Sequence, residues 1–319
     1  MASVKKFKFK RIWSVIIIAV LVLLVSFAAT KIVYDQTFKR YDCEVTSHHP
    51  MLEETVNARE EKTYSSGENK LRGYLYRSNA AQKKDALIIM APGFNSCADG
   101  YLWQIQELLE LGWSVLAFDP TGCCGSEGAS CKGFPQEVLD LKETINYVEK
   151  QDRFGYNELV LLGHSRGGYA VCCALEYDYE IAAAVSISGI NSAMEGVIGS
   201  AATYVGPVAY GNYGFLWLYQ AMLFGSETVN LRADKAISGS DVPILLIHGA
   251  DDTTVPCDKY SVVSHRAEIT NENAEYLIRY APDNAEHTDL MFDDDGTAND
   301  DLIKIISDFL EKKIEKQRD

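Results

Sequence analysis

Acidic residues are missing from the first 34 positions, and after them acids outnumber bases 45 to 24. The chain carries 30 Lys and Arg against 45 Asp and Glu, a formal net charge of −15. Six of the basic residues and none of the acids fall within residues 1–31, so the remainder is near −21. So acidic a folded part argues against nucleic-acid binding. Histidine is sparse too, with six in 319 residues, so imidazole chemistry has few candidates. The eight cysteines lack paired C-x-x-C spacing, which disfavours a zinc site. No internal repeat or low-complexity tract is present. The hydrophobic share, 47%, is ample for a globular core.

Lys5, Lys6, Lys8, Lys10 and Arg11 precede an apolar run from Ile12 to Thr30. That run is long enough to cross a bilayer. The basic cluster on its N-terminal side predicts a cytoplasmic N-terminus, with the rest of the chain outside. The run is longer than a usual signal-peptide core, and Ser26-Phe27-Ala28-Ala29-Thr30 is a poor cleavage site. An uncleaved signal anchor is therefore preferred to a cleaved signal. Residues 1–31 form the basic tail and anchor, 32–59 a stalk without clear period, and 60–319 the folded domain. His48 and His49, in the stalk, are read as solvated.

From Glu60 the chain alternates strand-like and helix-like segments. Lys62–Ser66 and Leu71–Ser78 read as a hairpin; Ala86–Ala91 and Trp113–Phe118 read as apolar strands. Gln136–Gln151 is an amphipathic helix, with Val138, Leu141, Ile145 and Val148 on one face. After Ser240 come a strand at Pro243–His248, a helix at Cys257–Ala267, a strand at Ala274–Tyr280 and a helix at Asp300–Lys313. Apolar strands alternating with helices imply an α/β fold, a mostly parallel sheet covered on both faces. Residues 190–240 break the alternation and are rich in aromatics, which reads as a small helical cap.

The stretch that organises the rest is Leu159 to Gly168, an apolar strand running into Gly163-His164-Ser165-Arg166-Gly167. A Gly-x-Ser-x-Gly sequence between strand and helix is a nucleophile elbow. Ser165 then sits on a strained turn with its hydroxyl clear of the sheet. Gly163 and Gly167 leave room for the neighbouring strand and helix. The Arg166 N–H, at a helix N-terminus, faces a developing oxyanion. A nucleophilic serine needs a base, and the base an orienting acid. His164 points away from the place a base must occupy, His248 ends a strand and is buried, and His265 lies mid-helix. His287 alone falls on a loop at the C-terminal edge of a parallel strand, where ligands bind in such sheets. The acid is expected in the turn after His248. Asp252 is chosen, with Asp251 as the alternative.

Together these pieces resemble the α/β-hydrolase-fold serine hydrolases over about residues 60–315. The shared motifs are Gly163–Gly168, Pro92-Gly93-Phe94, Phe118-Asp119-Pro120-Thr121-Gly122, His248-Gly249-x-x-Asp252-x-x-Val255-Pro256 and His287. The family orders its triad Ser…Asp…His, as here. The resemblance implies that the Phe94 N–H is the other oxyanion donor. It implies an acyl-enzyme reaction on carboxylic esters without metal or organic cofactor. Where the family usually has His-Gly, this chain has Pro92-Gly93, and the contact uses backbone. A looser likeness to feruloyl-type esterases is carried by that turn and the cap. A serine aminopeptidase of the same fold and a non-catalytic surface binding protein are the rival readings. Five cysteines, Cys97, Cys123, Cys124, Cys131 and Cys257, fall in loops on the catalytic edge. One reading joins Cys97 to Cys124 or Cys131, and the other leaves all of them free. Cys172 and Cys173 are assigned to the core.

Overall fold

The computed structural model of the chain describes residues 2–42, 52–281, 284–293 and 296–318. Helix α1 (Ala2–Thr37) is continuous over 36 residues. From Ile12 through Val25 its side chains are exposed, and the first contacts with the body come at Ser26 and Phe27. After α2 (Glu53–Ala58), strands β1 (Glu60–Ser66) and β2 (Asn69–Tyr76) form the expected hairpin.

Then the alternation sets in. The strands are β3 (Ala86–Ala91), β4 (Ser114–Asp119), β5 (Glu158–His164), β6 (Ala183–Ile187), β7 (Ile244–Gly249) and β8 (Ala274–Arg279). Between and after them run α3 (Leu102–Glu110), α4 (Phe134–Lys150), α5 (Arg166–Ala174) and, at the end, α10 (Asp300–Arg318). The cap holds α6 (Ala193–Val205), α7 (Tyr213–Phe224), α8 (Ser226–Val229) and α9 (Ala233–Ser238).

The eight strands form one sheet in the order β1-β2-β4-β3-β5-β6-β7-β8. β2 pairs antiparallel with β1 and β4, and every pairing from β4 to β8 is parallel. The chain runs outward from β3 to β4, then returns across β3 to start β5. The strand order therefore reverses between β3 and β5, and an open parallel sheet has its ligand crevice above such a point.

β3 and β4 are buried at every position, as strands covered on both faces must be. One apolar layer joins α4 and α5 to the sheet, and the other joins α3 and α10 to it. Val138, Leu141, Ile145 and Val148 of α4 are all buried in the first. Burial of that kind is worth roughly 1.5–3 kcal/mol per side chain.

Two buried carboxylates fix loops that follow the C-terminal ends of the strands. Asp119, ending β4, accepts from the N–H groups of Ala98 and Gly125 and from the Tyr74 hydroxyl. Asp140 of α4 accepts from the Thr121 N–H and hydroxyl, Ser66 and Gln136.

Two expectations need correction. Residues 257–267 are not an α-helix but turns with one short 3-10 turn at Val262–His265. Backbone bonds that a helix would use internally go across to the segment after β6. Asn191 N–H donates to Tyr260 O and Val262 N–H to Gly189 O. Nor do residues 32–42 hang free as a stalk. Tyr34 and Phe38 are buried, and residues 39 and 41 bridge to the loop after β4. The reason is aromatic burial: that stretch carries Tyr34, Phe38 and Tyr41, which pack where a solvated stalk would have polar side chains. His48, His49 and Cys43 lie outside the described residues.

Candidate active site

β5 ends at His164 and α5 begins at Arg166, leaving one residue for the reversal. Ser165 makes it at φ 55°, ψ −115°, in the left-handed half of backbone space that a non-glycine residue occupies only under constraint. The constraint is local. A Cβ on Gly163 would lie 2.3 Å from the Gly167 carbonyl oxygen. A Cβ on Gly167 would lie 2.0 Å from the Ala91 carbonyl oxygen of β3. The Ser165 N–H is held by Ile187 O at 2.8 Å.

Three distant side chains meet at this turn. His287 Nε2 lies 2.8 Å from Ser165 Oγ. On the other side of the ring, His287 Nδ1 lies 2.6 Å from Asp252 Oδ2. With Nδ1–H donating to the carboxylate, Nε2 is free to accept the serine proton. Of the two candidate acids it is therefore Asp252 that reaches the ring, and Asp251 stays outside. Burial favours the neutral Asp252 carboxyl, but hydrogen bonds from His248 and His287 outweigh it and hold it well below the usual carboxylate range. Its other oxygen accepts from the Thr254 and Val255 N–H groups at 2.9 and 2.7 Å.

Phe94 lies in the turn directly after β3, and Arg166 opens α5. The turn is close: a Cβ on Gly93 would lie 3.5 Å from Ser165 Cβ. The Arg166 side chain is buried, pairs with Glu137 of α4 at 2.7 Å and lies 5.8 Å from the Phe94 ring centroid. One guanidinium thus braces the first turn of α5 against the turn after β3.

Several supporting groups escape a reading of the sequence. His248 is not merely buried. Its Nε2 sits 3.1 Å from Asp252 Oδ2 and donates to Val255 O at 2.9 Å, so it orients the acid. The signal in the sequence is the spacing of four between His248 and Asp252. Tyr101 gives no such signal. Its hydroxyl accepts from the Gly93 N–H at 2.8 Å and lies 3.0 Å from His164 Nδ1. His164 Nε2 then reaches His287 O at 3.1 Å, and the Ser188 hydroxyl donates to the same oxygen at 3.2 Å. Gly93 N–H, Tyr101, His164 and the His287 carbonyl form one hydrogen-bonded line from the turn after β3 to the loop that carries His287. Burial first, and the neighbouring His287 second, push the His164 pKa down to about 3, so it works as a neutral brace.

The cysteines divide differently from expectation. Cys97 and Cys131 are free thiols, so neither pairing proposed for Cys97 forms. Cys124 nonetheless is disulfide-bonded. The Cys131 thiol instead donates to the Phe38 carbonyl at 3.3 Å. Cys172 and Cys173 are fully buried in the core, as expected.

Comparison with known proteins agrees with the fold. Residues 86–199 match the model of the family described as alpha/beta hydrolase fold. A polyketide transferase of a Penicillium species is 27% identical over 121 residues, 37% of this chain and 40% of that protein. A proline iminopeptidase of Saccharolobus solfataricus is 30% identical over 124 residues, 37% of each chain. The chain thus matches about two-fifths of the length of these curated relatives. Among solved structures, an esterase of Pyrococcus furiosus superposes with a TM-score of 0.64 at 20% identity, over 87% of this chain and 98% of that one.

Proposed function

From an α/β-hydrolase fold, which is what this chain has, we propose a membrane-anchored serine hydrolase that cleaves carboxylic esters. The observation that carries the reading is the unbroken line Ser165 Oγ–His287 Nε2, His287 Nδ1–Asp252 Oδ2, at 2.8 and 2.6 Å. A binding protein has no use for a serine held in a strained turn and hydrogen-bonded to an oriented imidazole.

In this reaction Ser165 Oγ attacks the acyl carbon as its proton passes to His287 Nε2. Asp252 keeps Nδ1 protonated and stabilises the imidazolium that forms. The carbonyl oxygen, now an oxyanion, is held by the N–H groups of Phe94 and Arg166, each worth about 3–4 kcal/mol in sites of this type. His287 returns its proton to the departing alkoxide, leaving the acyl-serine. Water repeats the sequence, giving up a proton to His287 and releasing the acid.

The anchor is α1. Its segment Ile12–Thr37 is long and apolar enough to span, and the most apolar stretch of it is not buried by the rest of the protein. The basic cluster before it favours a cytoplasmic N-terminus and an outer catalytic domain. The disulfide at Cys124 supports the same side, since disulfides persist outside the cytoplasm.

A second reading, a peptidase releasing N-terminal residues, is favoured by the likeness to the iminopeptidase. The experiment is a panel of short-chain nitrophenyl esters and aminoacyl nitroanilides, run on the full chain and on Ser165→Ala. Ester turnover should fall by about four orders of magnitude or more in the variant, and fluorophosphonate labelling should vanish. Undiminished labelling refutes the serine. Anilide turnover without ester turnover selects the peptidase.

A further inference from the structure

The cap presents a surface that this chemistry does not use. Between Gly196 and Ser226 the chain has no acidic or basic residue, although 24% of the whole is charged. Tyr204, Val208, Tyr213, Met222 and Leu223 all face outward there, Tyr204 at 88% exposure and Met222 at 69%. Single exposed apolar residues are ordinary, but several of them in a 31-residue stretch without one charge mark a contact surface.

The position of the cap says what it contacts. Phe27 of α1 packs edge-on against Phe215 and Tyr219 of α7, with centroids 6.4 and 6.2 Å apart. Lys31 is the first charged residue after the apolar run. Phe27 precedes it by four residues, so it lies about 6 Å deeper along the helix. A helix that touches α1 at that level lies about as deep as one lying in the interfacial layer of a bilayer, roughly 5–10 Å. Tyr34 adds a second contact to Tyr219 at 5.4 Å, and the Tyr219 hydroxyl donates to Asp35 at 2.5 Å.

The same apolar cluster reaches the catalytic turn. Tyr34 packs tilted against Phe38 at 4.5 Å, and Phe38 meets Phe94 at 5.4 Å. Phe94 belongs to the turn beside Ser165. Below it, Arg40 ties the chain down by donating to the carbonyls of Cys124, Ser126 and Gly128.

We propose that the uncharged cap lies in the interfacial layer of the lipid bilayer beside α1, and that the site takes acyl esters dissolved in that bilayer. This rests on the anchored-hydrolase reading and adds its partner surface and substrate class. The continuity of α1, α7 and Phe94 gives an acyl chain an apolar route from lipid to serine.

The test uses the full chain in vesicles of phosphatidylcholine brominated on its acyl chains. A reporter is added by Met222→Trp on the cap, or by Leu111→Trp at the opposite edge of the sheet. Emission is read as the difference from the parent protein. The Met222→Trp signal should lose more than half its intensity and the Leu111→Trp signal should not change. Retention through alkaline carbonate extraction reports the span separately. A chain released by carbonate removes both the anchor and the cap seating. A retained chain whose Met222→Trp signal is quenched no more than that of Leu111→Trp overturns the seating alone. Shielding of that signal from aqueous iodide without bromolipid quenching assigns the face to a second protein copy and equally overturns it.

Substrate class is read with Tyr204→Lys and Val208→Lys combined. Turnover of a vesicle-dispersed long-chain ester should fall at least tenfold, and that of soluble nitrophenyl butyrate should stay within twofold. Equal effects on the two, or none on either, overturn the substrate class. A parent chain inactive on both esters removes the hydrolytic reading and the substrate class with it, while the quenching still decides the seating.

Discussion

His164 shows how one residue braces the candidate site from behind Ser165. Its two ring nitrogens are both engaged, one by Tyr101 and one by the His287 carbonyl. That arrangement requires a neutral ring. Its pKa is pushed down to about 3, by burial first, against an ordinary value of 6.5. Between those values the unfolded chain binds a proton that the folded chain does not. Stability is therefore whole above pH 6.5 and falls as pH drops toward 3, by up to about 1.4 kcal/mol per unit. In His164→Gln that part of the slope should be absent. Guanidinium unfolding of the detergent-solubilised full chain at several pH values from 7 to 4 checks it, and equal slopes in both proteins would contradict it. Legibility at this scale was uneven. Ser165 and His287 could be read because motif and position constrain them. Tyr101 could not, since only the turn of α3 onto β3 and β5 brings its hydroxyl to Gly93.

At the scale of elements, the strand–turn–helix of the elbow depends on backbone clearance. Gly167 of α5 passes so close to Ala91 of β3 that an added methyl would meet a backbone oxygen at 2.0 Å. Backbone within a sheet yields little, so Gly167→Ala should cost about 3 kcal/mol or more. Gly214 of α7 has nothing within 4 Å of its added methyl. Gly214→Ala should leave the fold intact and gain about 0.5–1 kcal/mol through helix propensity. Thermal unfolding of the two variants beside the parent gives the contrast. The same scale explains the helix misread at 257–267. Its side chains have acceptable helical spacing, but Tyr260 and Val262 bond to the loop after β6. Tertiary pairing overrode a local preference too weak to resist it.

Over the whole molecule, the C-terminal end of α1, from Phe27 on, packs against the α/β body. Residues 34–41 wrap the loop after β4, so the region expected to be a spacer is part of the wall beside the site. Cys124 is disulfide-bonded, and six other cysteines among the described residues are thiols. A thiol titration in denaturant should return fewer than eight before reduction and eight after it; eight before reduction would remove the disulfide and its support for an outer compartment.

The sequence by itself determined the α/β alternation, the elbow, the order of serine, acid and histidine, and the apolar run. Each of these is written in local pattern: period, spacing, or a glycine that nothing larger can replace. Only the tertiary structure decided that Asp252 takes the histidine, that His248 and Tyr101 support the two ends of the site, and that α1 meets the cap at Phe27. Those are contacts between segments far apart in the chain, and packing in three dimensions, not neighbouring residues, selects them.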